Sequence, residues 1–136
     1  MKLVLIRGIP GSGKSTIAKN HFVPKGYRHY EADMYFEIGG VYRFNPEKVQ
    51  NAHGWCQKMT YDSLLMGMNV VVSNTFVRFW ELEGYLHIAN KLNAAVRIIQ
   101  ATGCWNNVHG VSDDVIARMK VTWETIANTE LWGEQQ

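Results

Sequence analysis

Gly8-Ile9-Pro10-Gly11-Ser12-Gly13-Lys14-Ser15 decides how the rest of this chain is read. The stretch fits G-x-x-x-x-G-K-[ST], the spacing of a phosphate-binding loop. Leu3-Val4-Leu5-Ile6 before it is an apolar run short enough for a buried strand. Ser15-Thr16-Ile17-Ala18-Lys19 after it can open a helix. Strand, loop and helix in that order are the context the motif requires. Glycines let the backbone turn tightly and approach a phosphate. Successive N–H groups then converge on one concavity. Lys14 adds a charge for β- and γ-phosphates, and the Ser15 hydroxyl suits Mg²⁺. Gly8, Pro10, Gly11, Ser12, Gly13, Lys14, Ser15 and Thr16 are therefore the candidate residues for a nucleoside triphosphate, ATP or GTP, with Mg²⁺.

The 136 residues suffice for a single domain spanning 1–136. Composition is ordinary for a globular protein, with 46% hydrophobic and 19% charged residues. A net charge of +2 neither demands nor excludes a nucleic-acid partner. Cys56 and Cys104 lack metal-type spacing and read as free thiols, which suits a reducing compartment. Only four apolar residues separate Lys2 from Arg7, too few for a secretory signal. No apolar run approaches the roughly 20 residues of a membrane span. The expectation is a cytoplasmic protein with no membrane partner.

Working outward from the loop, strands and helices alternate. A helix over 16–22 should stop before Pro24 and Gly26. Residues 27–31 read as a second strand. Asn45-Pro46-Glu47 is a helix start, and apolar residues at three-to-four spacing carry that helix to Leu65, with Gly67 ending it. Val70-Val71-Val72 is a third strand, residues 81–92 a helix, and 95–99 a fourth strand. A polar loop over about 102–112 occupies the place of a lid. Ser112-Asp113-Asp114 caps a last helix with an apolar stripe of Val115, Ile116, Met119, Trp123 and Ile126. The tail after Asn128 is expected to fray. The pattern predicts an α/β fold, a P-loop NTPase of three-layer αβα type with a mostly parallel four-stranded sheet and a short lid.

Ligands in such sheets gather at the carboxyl ends of strands. Beyond the second strand lie Glu31 and Asp33. Asp33 is the candidate proton acceptor and, with Ser15, the candidate Mg²⁺ residue; Glu31 is the weaker competitor. Beyond the third strand, Ser73-Asn74-Thr75 has no acid where a Walker-B aspartate often stands, so Asn74 is a candidate to position water or a phosphate oxygen. The lid segment has no arginine; His109 reads as an acceptor contact or a turn histidine, and Arg118 as a catalytic cation or a surface helix charge. Tyr35, Arg43 and Arg78 are candidate acceptor contacts, with Phe36 and Tyr42 nearby. Aromatic faces stack on nucleobases, so single-stranded nucleic acid is a candidate partner; the alternative is that these rings cover the sheet edge.

Taken together these residues resemble the small phosphate-loop kinases typified by the phage 5′-polynucleotide kinase domain. The similarity covers nearly the whole chain. It rests on the loop through Thr16, on Asp33 within Glu31-Ala32-Asp33-Met34-Tyr35-Phe36, on Ser73-Asn74-Thr75, and on Val108-His109-Gly110-Val111 leading to Arg118. The last segment resembles the short-lid branch of phage, bacterial and eukaryotic polynucleotide-kinase-like ATP-binding proteins. The resemblance implies ATP and Mg²⁺ as cofactors, Lys14 as a catalytic residue, Asp33 as general base, and transfer of the γ-phosphate to a hydroxyl of a nucleic acid or nucleotide. Phe36 and Asn74 stand where that family has an arginine and an aspartate. Two other functions fit the residues: a kinase for a small molecule or a modified DNA base, and a low-turnover ATP- or GTP-binding module.

Overall fold

A computed structural model describes residues 1–104 and 110–133. Five strands form one wholly parallel sheet: β1 (Lys2–Arg7), β2 (Arg28–Tyr30), β5 (Val70–Asn74), β6 (Ala95–Ala101) and β7 (Thr129–Trp132), in spatial order β2-β5-β1-β6-β7. Two further short strands, β3 (Glu37–Ile38) and β4 (Val41–Tyr42), pair as an antiparallel hairpin. β1 and β5 are buried on both faces, which their unbroken apolar runs require. Leu3, Leu5, Val70 and Val72 pack against Cys56 and Leu64 of α2 (Val49–Leu65) and Leu82, Tyr85 and Ala89 of α3 (Trp80–Leu92). Val4, Ile6 and Val71 point the other way, onto Ile17, Ala18 and Phe22. Strand residues alternate between two helical layers, and the fold is an α/β fold with a parallel central sheet.

Three expectations need correction. The sheet has a fifth strand where the tail was expected to fray. β7 is held by paired bonds from Arg97 Nε and Nη2 to the Glu130 carboxylate, each 2.9 Å, and by Trp132 stacked 5.8 Å from Phe22. The first helix does not stop before Pro24. After α1 (Lys14–Ile17) it widens into a π-helical turn (Ala18–Phe22) and tightens into a 3₁₀ turn (Val23–Lys25), where proline fits an N-terminal position. The last helix, α4 (Asp113–Thr122), has no buried residue. Trp123 and Ile126 lie beyond its end, so the expected stripe is not one helix face.

α4 is tied down at its carboxyl end. Arg78 donates to the Thr122 carbonyl, Glu124 N to the Val77 carbonyl, and the Glu124 carboxylate accepts from Phe79 N. Fully buried Arg7, the last residue of β1, donates to the carbonyls of Phe76 and Val77 at 2.7 to 3.0 Å. Its guanidinium carbon also sits 4.0 Å from the centre of the Trp123 ring. Replacing Arg7 with methionine keeps the volume but strands two buried carbonyls. The expected loss is on the order of 3 kcal/mol of folding stability, measurable by urea denaturation.

Candidate active site

The phosphate-binding loop leaves the end of β1 at the point where the strand order reverses, the place such sheets reserve for ligands. Its shape depends on Gly11 and Gly13, at φ 84° and 93°, a region L side chains rarely enter. The loop is fixed to its neighbours by Gly8 N donating to the Thr75 carbonyl and Gly103 N to the Ser12 carbonyl. Lys14 Nζ lies 3.4 Å from the Ile9 carbonyl, folded back across the loop. Burial pushes the Lys14 ammonium down from its ordinary pKa, against the opposing pull of Glu31 and then Asp33.

A cavity of about 300 Å³ opens beside the loop. Pro10, Gly11, Gly13, Lys14, Ser15, Thr16, Asp33 and Asn74 all line it, so the structure brings these sequence candidates together. Gly8 and Ser12 line a second cavity of about 350 Å³ on the far side of the loop, with Lys120 and Trp123. Tyr35, Arg43, Arg78 and Arg118 line neither. Tyr35 packs against Phe36 and Trp55. Arg43 and Arg118 are exposed, while Arg78 is paired with Glu124 at 3.5 Å. His109 lies outside the described residues.

Glu31, and not Asp33, is the acid bonded to the phosphate loop at Ser15. Extended backbone carries it past β2, and pairing of Tyr30 with Val72 sets it beside Ser73 at the end of β5. Glu31 Oε1 accepts hydrogen bonds from Ser15 Oγ and from Ser73 Oγ, the latter at 2.8 Å. His29 Nε2 lies 3.2 Å from the same oxygen and 2.7 Å from Ser73 Oγ. Burial alone would raise the Glu31 pKa. The bonds from His29 and Ser15, the His29 charge and the Ser73 bond outweigh it and hold the group at about 2. The sequence showed no acid at the end of β5; the adjacent strand supplies one to Ser15 instead.

The depressed pKa has a testable sign. A carboxylate held at about 2 against a usual 4.5 adds stability that is complete above pH about 4.5 and lost as pH falls through about 2. Wild type is therefore expected to exceed Glu31→Gln by about 2–3 kcal/mol near neutrality, the gap closing as pH falls from 4.5 towards 2. Melting temperatures of both proteins across that range check it.

Asp33 sits in the 3₁₀ turn Ala32–Phe36 and accepts from the Tyr42 hydroxyl at 3.2 Å. Burial, then the Asp33 charge, push the Tyr42 phenol up to about 12, so it stays protonated and donates. Asn74 is directed to structure: its Oδ1 accepts from Ala32 N at 2.9 Å and so fixes the turn that carries Asp33. Ser15, Glu31 and Asp33 are hard oxygen donors of the kind Mg²⁺ takes alongside phosphates, so these residues fit that ion.

A family model for an AAA domain (AAA_33) matches residues 3–102. The chain belongs to this AAA domain family. The matched residues of this AAA domain include the phosphate loop, both acids and Asn74. NEDD4-binding protein 2 of Homo sapiens is 32% identical over 129 residues, covering 86% of this chain, and the match spans only 7% of that protein's length. A sugar kinase from Janibacter sp. superimposes with a TM-score of 0.70 at 14% identity, over 100% of this chain and 87% of its own. Kti12 of Chaetomium thermophilum, in complex with ADP-AlF3, gives 0.69 at 12% identity, over 97% and 89%. At these identities the two structures show a shared fold.

Proposed function

We propose that this chain is an ATP-dependent phosphotransferase that moves the γ-phosphate to a hydroxyl of a nucleic acid or nucleotide-like acceptor. The observation that carries the reading is one cavity lined by Lys14, Ser15 and Asp33 together. Backbone N–H groups around Gly11 to Ser15 and the Lys14 ammonium hold the phosphates. Ser15 and Glu31 would hold Mg²⁺, with Asp33 helping only through water; the ion supplies charge neutralisation of the transferring group. Asp33 accepts the acceptor's proton, and Tyr42 orients it. Arg118, beside the cavity-lining Met119, is the second cation we assign to the transferring phosphate. The structural likeness to a sugar kinase and to an ADP-AlF3-bound protein supports nucleotide binding and phosphoryl transfer.

Asn74 at the end of β5 favours a second reading, a nucleotide-binding module with little turnover. Glu31 weighs against it, because it restores a carboxylate to Ser15. Calorimetry tests the binding half of the proposal. ATP with Mg²⁺ should bind at one site, and omission of Mg²⁺ should weaken it. Absence of ATP binding would remove both readings.

A further inference from the structure

The phosphotransferase reading, on which this inference rests, leaves open what the acceptor half of the cavity recognises. Besides the phosphate loop, the cavity is lined by Phe36, Phe44, Val49, Ala52, His53 and Met119, and by Asp33; we take these residues as the acceptor half. Phe44 follows the β3–β4 hairpin. Its ring packs edge-on against buried Phe36, centroids 5.2 Å apart, yet the residue stays 53% exposed. A large aromatic side chain half-bare at a cavity wall offers a face to a flat ring. His53, half-buried on α2, has no hydrogen-bond partner among the described residues, so its ring nitrogens are available to a ligand.

Charge narrows the ligand further. Among the described residues Lys14 is the sole lysine or arginine on this wall, and the triphosphate claims it, as it claims Arg118 from outside the wall in the reading above. Residues 105–109 and 134–136 contain no lysine or arginine. Glu31 and Asp33 both line the cavity. A phosphate on the seated part of the acceptor would thus meet the Asp33 carboxylate and, among the described residues, no lysine or arginine of its own. Arg43, next to Phe44 in sequence, is exposed and off the wall.

We infer that the acceptor half takes an uncharged nucleoside unit, its base stacked on Phe44 and its hydroxyl at Asp33, and that no phosphate of the acceptor is read inside the cavity. In the transfer, the acceptor oxygen forms a bond to the γ-phosphorus as the bond to the β,γ-bridging oxygen breaks. The hydroxyl proton passes to Asp33, and ADP leaves with the bridging oxygen.

The test is a calorimetric titration of the full chain loaded with a non-hydrolysable ATP analogue and Mg²⁺. Adenosine, guanosine, cytidine and thymidine are titrated beside their 3′- and 5′-monophosphates. At least one nucleoside should bind, and neither of its monophosphates should bind tighter. Phe44→Ala should weaken that nucleoside by roughly 10-fold, while Phe44→Tyr retains it, with analogue affinity unchanged in both. Tighter binding of a monophosphate, insensitivity to Phe44→Ala, or no nucleoside binding to analogue-loaded protein would each overturn the inference and leave phosphoryl transfer standing. Failure of the analogue itself to bind would overturn both.

Discussion

Lys14→Ala is expected to abolish γ-phosphate transfer, lowering turnover by at least about 10²–10³-fold. The reason is local. Lys14 is the cation on the wall where the triphosphate would lie, and it is largely shielded from water, so its charge acts in a weak dielectric. ATP affinity should fall as well, because ground state and transition state both carry charge on the β- and γ-phosphates. Calorimetry and a turnover assay together check this. Equal ATP affinity in wild type and variant would contradict the assignment of the loop.

Asp33→Asn is expected to have the next largest effect. The change keeps the shape and removes proton acceptance. A positioned general base contributes about 10²–10⁴-fold. Turnover should fall by about that factor while ATP binding is largely retained. The competing carboxylate makes the test informative. Glu31 is engaged by Ser15, Ser73 and His29 and stays ionised far below neutrality, which makes it a poor proton acceptor and a good charge donor. If Glu31→Gln cost more turnover than Asp33→Asn at saturating Mg²⁺, the two roles would be reversed.

Why the fold was legible and part of the site was not follows from particular residues. The phosphate loop, the β-branched run at Val70-Val71-Val72 and the Asn45 cap, whose Oδ1 accepts from Glu47 N, are local signals that tertiary context left intact. Strand β7 is four residues long and half exposed; it exists through the Arg97–Glu130 pair and Trp132 on Phe22, contacts between distant parts of the chain. The hairpin did carry a signal. Gly39 and Gly40, at φ 59° and 81°, form the two-residue turn between Ile38 and Val41 that favours positive φ at both positions.

The acids illustrate a different limit. Glu31 and Asp33 are two residues apart, and which one meets Ser15 is set by the register of β2 on β5. Register across strands separated by about forty positions is not written in either segment alone. Asn74 reads from sequence as a polar contact for ligand, yet its side chain is occupied in holding Ala32 N. Arg43 and Arg78 read as acceptor contacts, and the structure places both away from the cavity wall.

Central to this account is a single chemical event, movement of phosphate from ATP to a hydroxyl within the cavity of Lys14 and Asp33. Incubation of the pure protein with γ-labelled ATP, Mg²⁺ and the nucleosides and 5′-hydroxyl oligonucleotides described by the site tests it most directly. The account predicts label on an acceptor hydroxyl in wild type, and none with Lys14→Ala. Label released only as inorganic phosphate, or transferred equally by the Lys14→Ala protein, would contradict it.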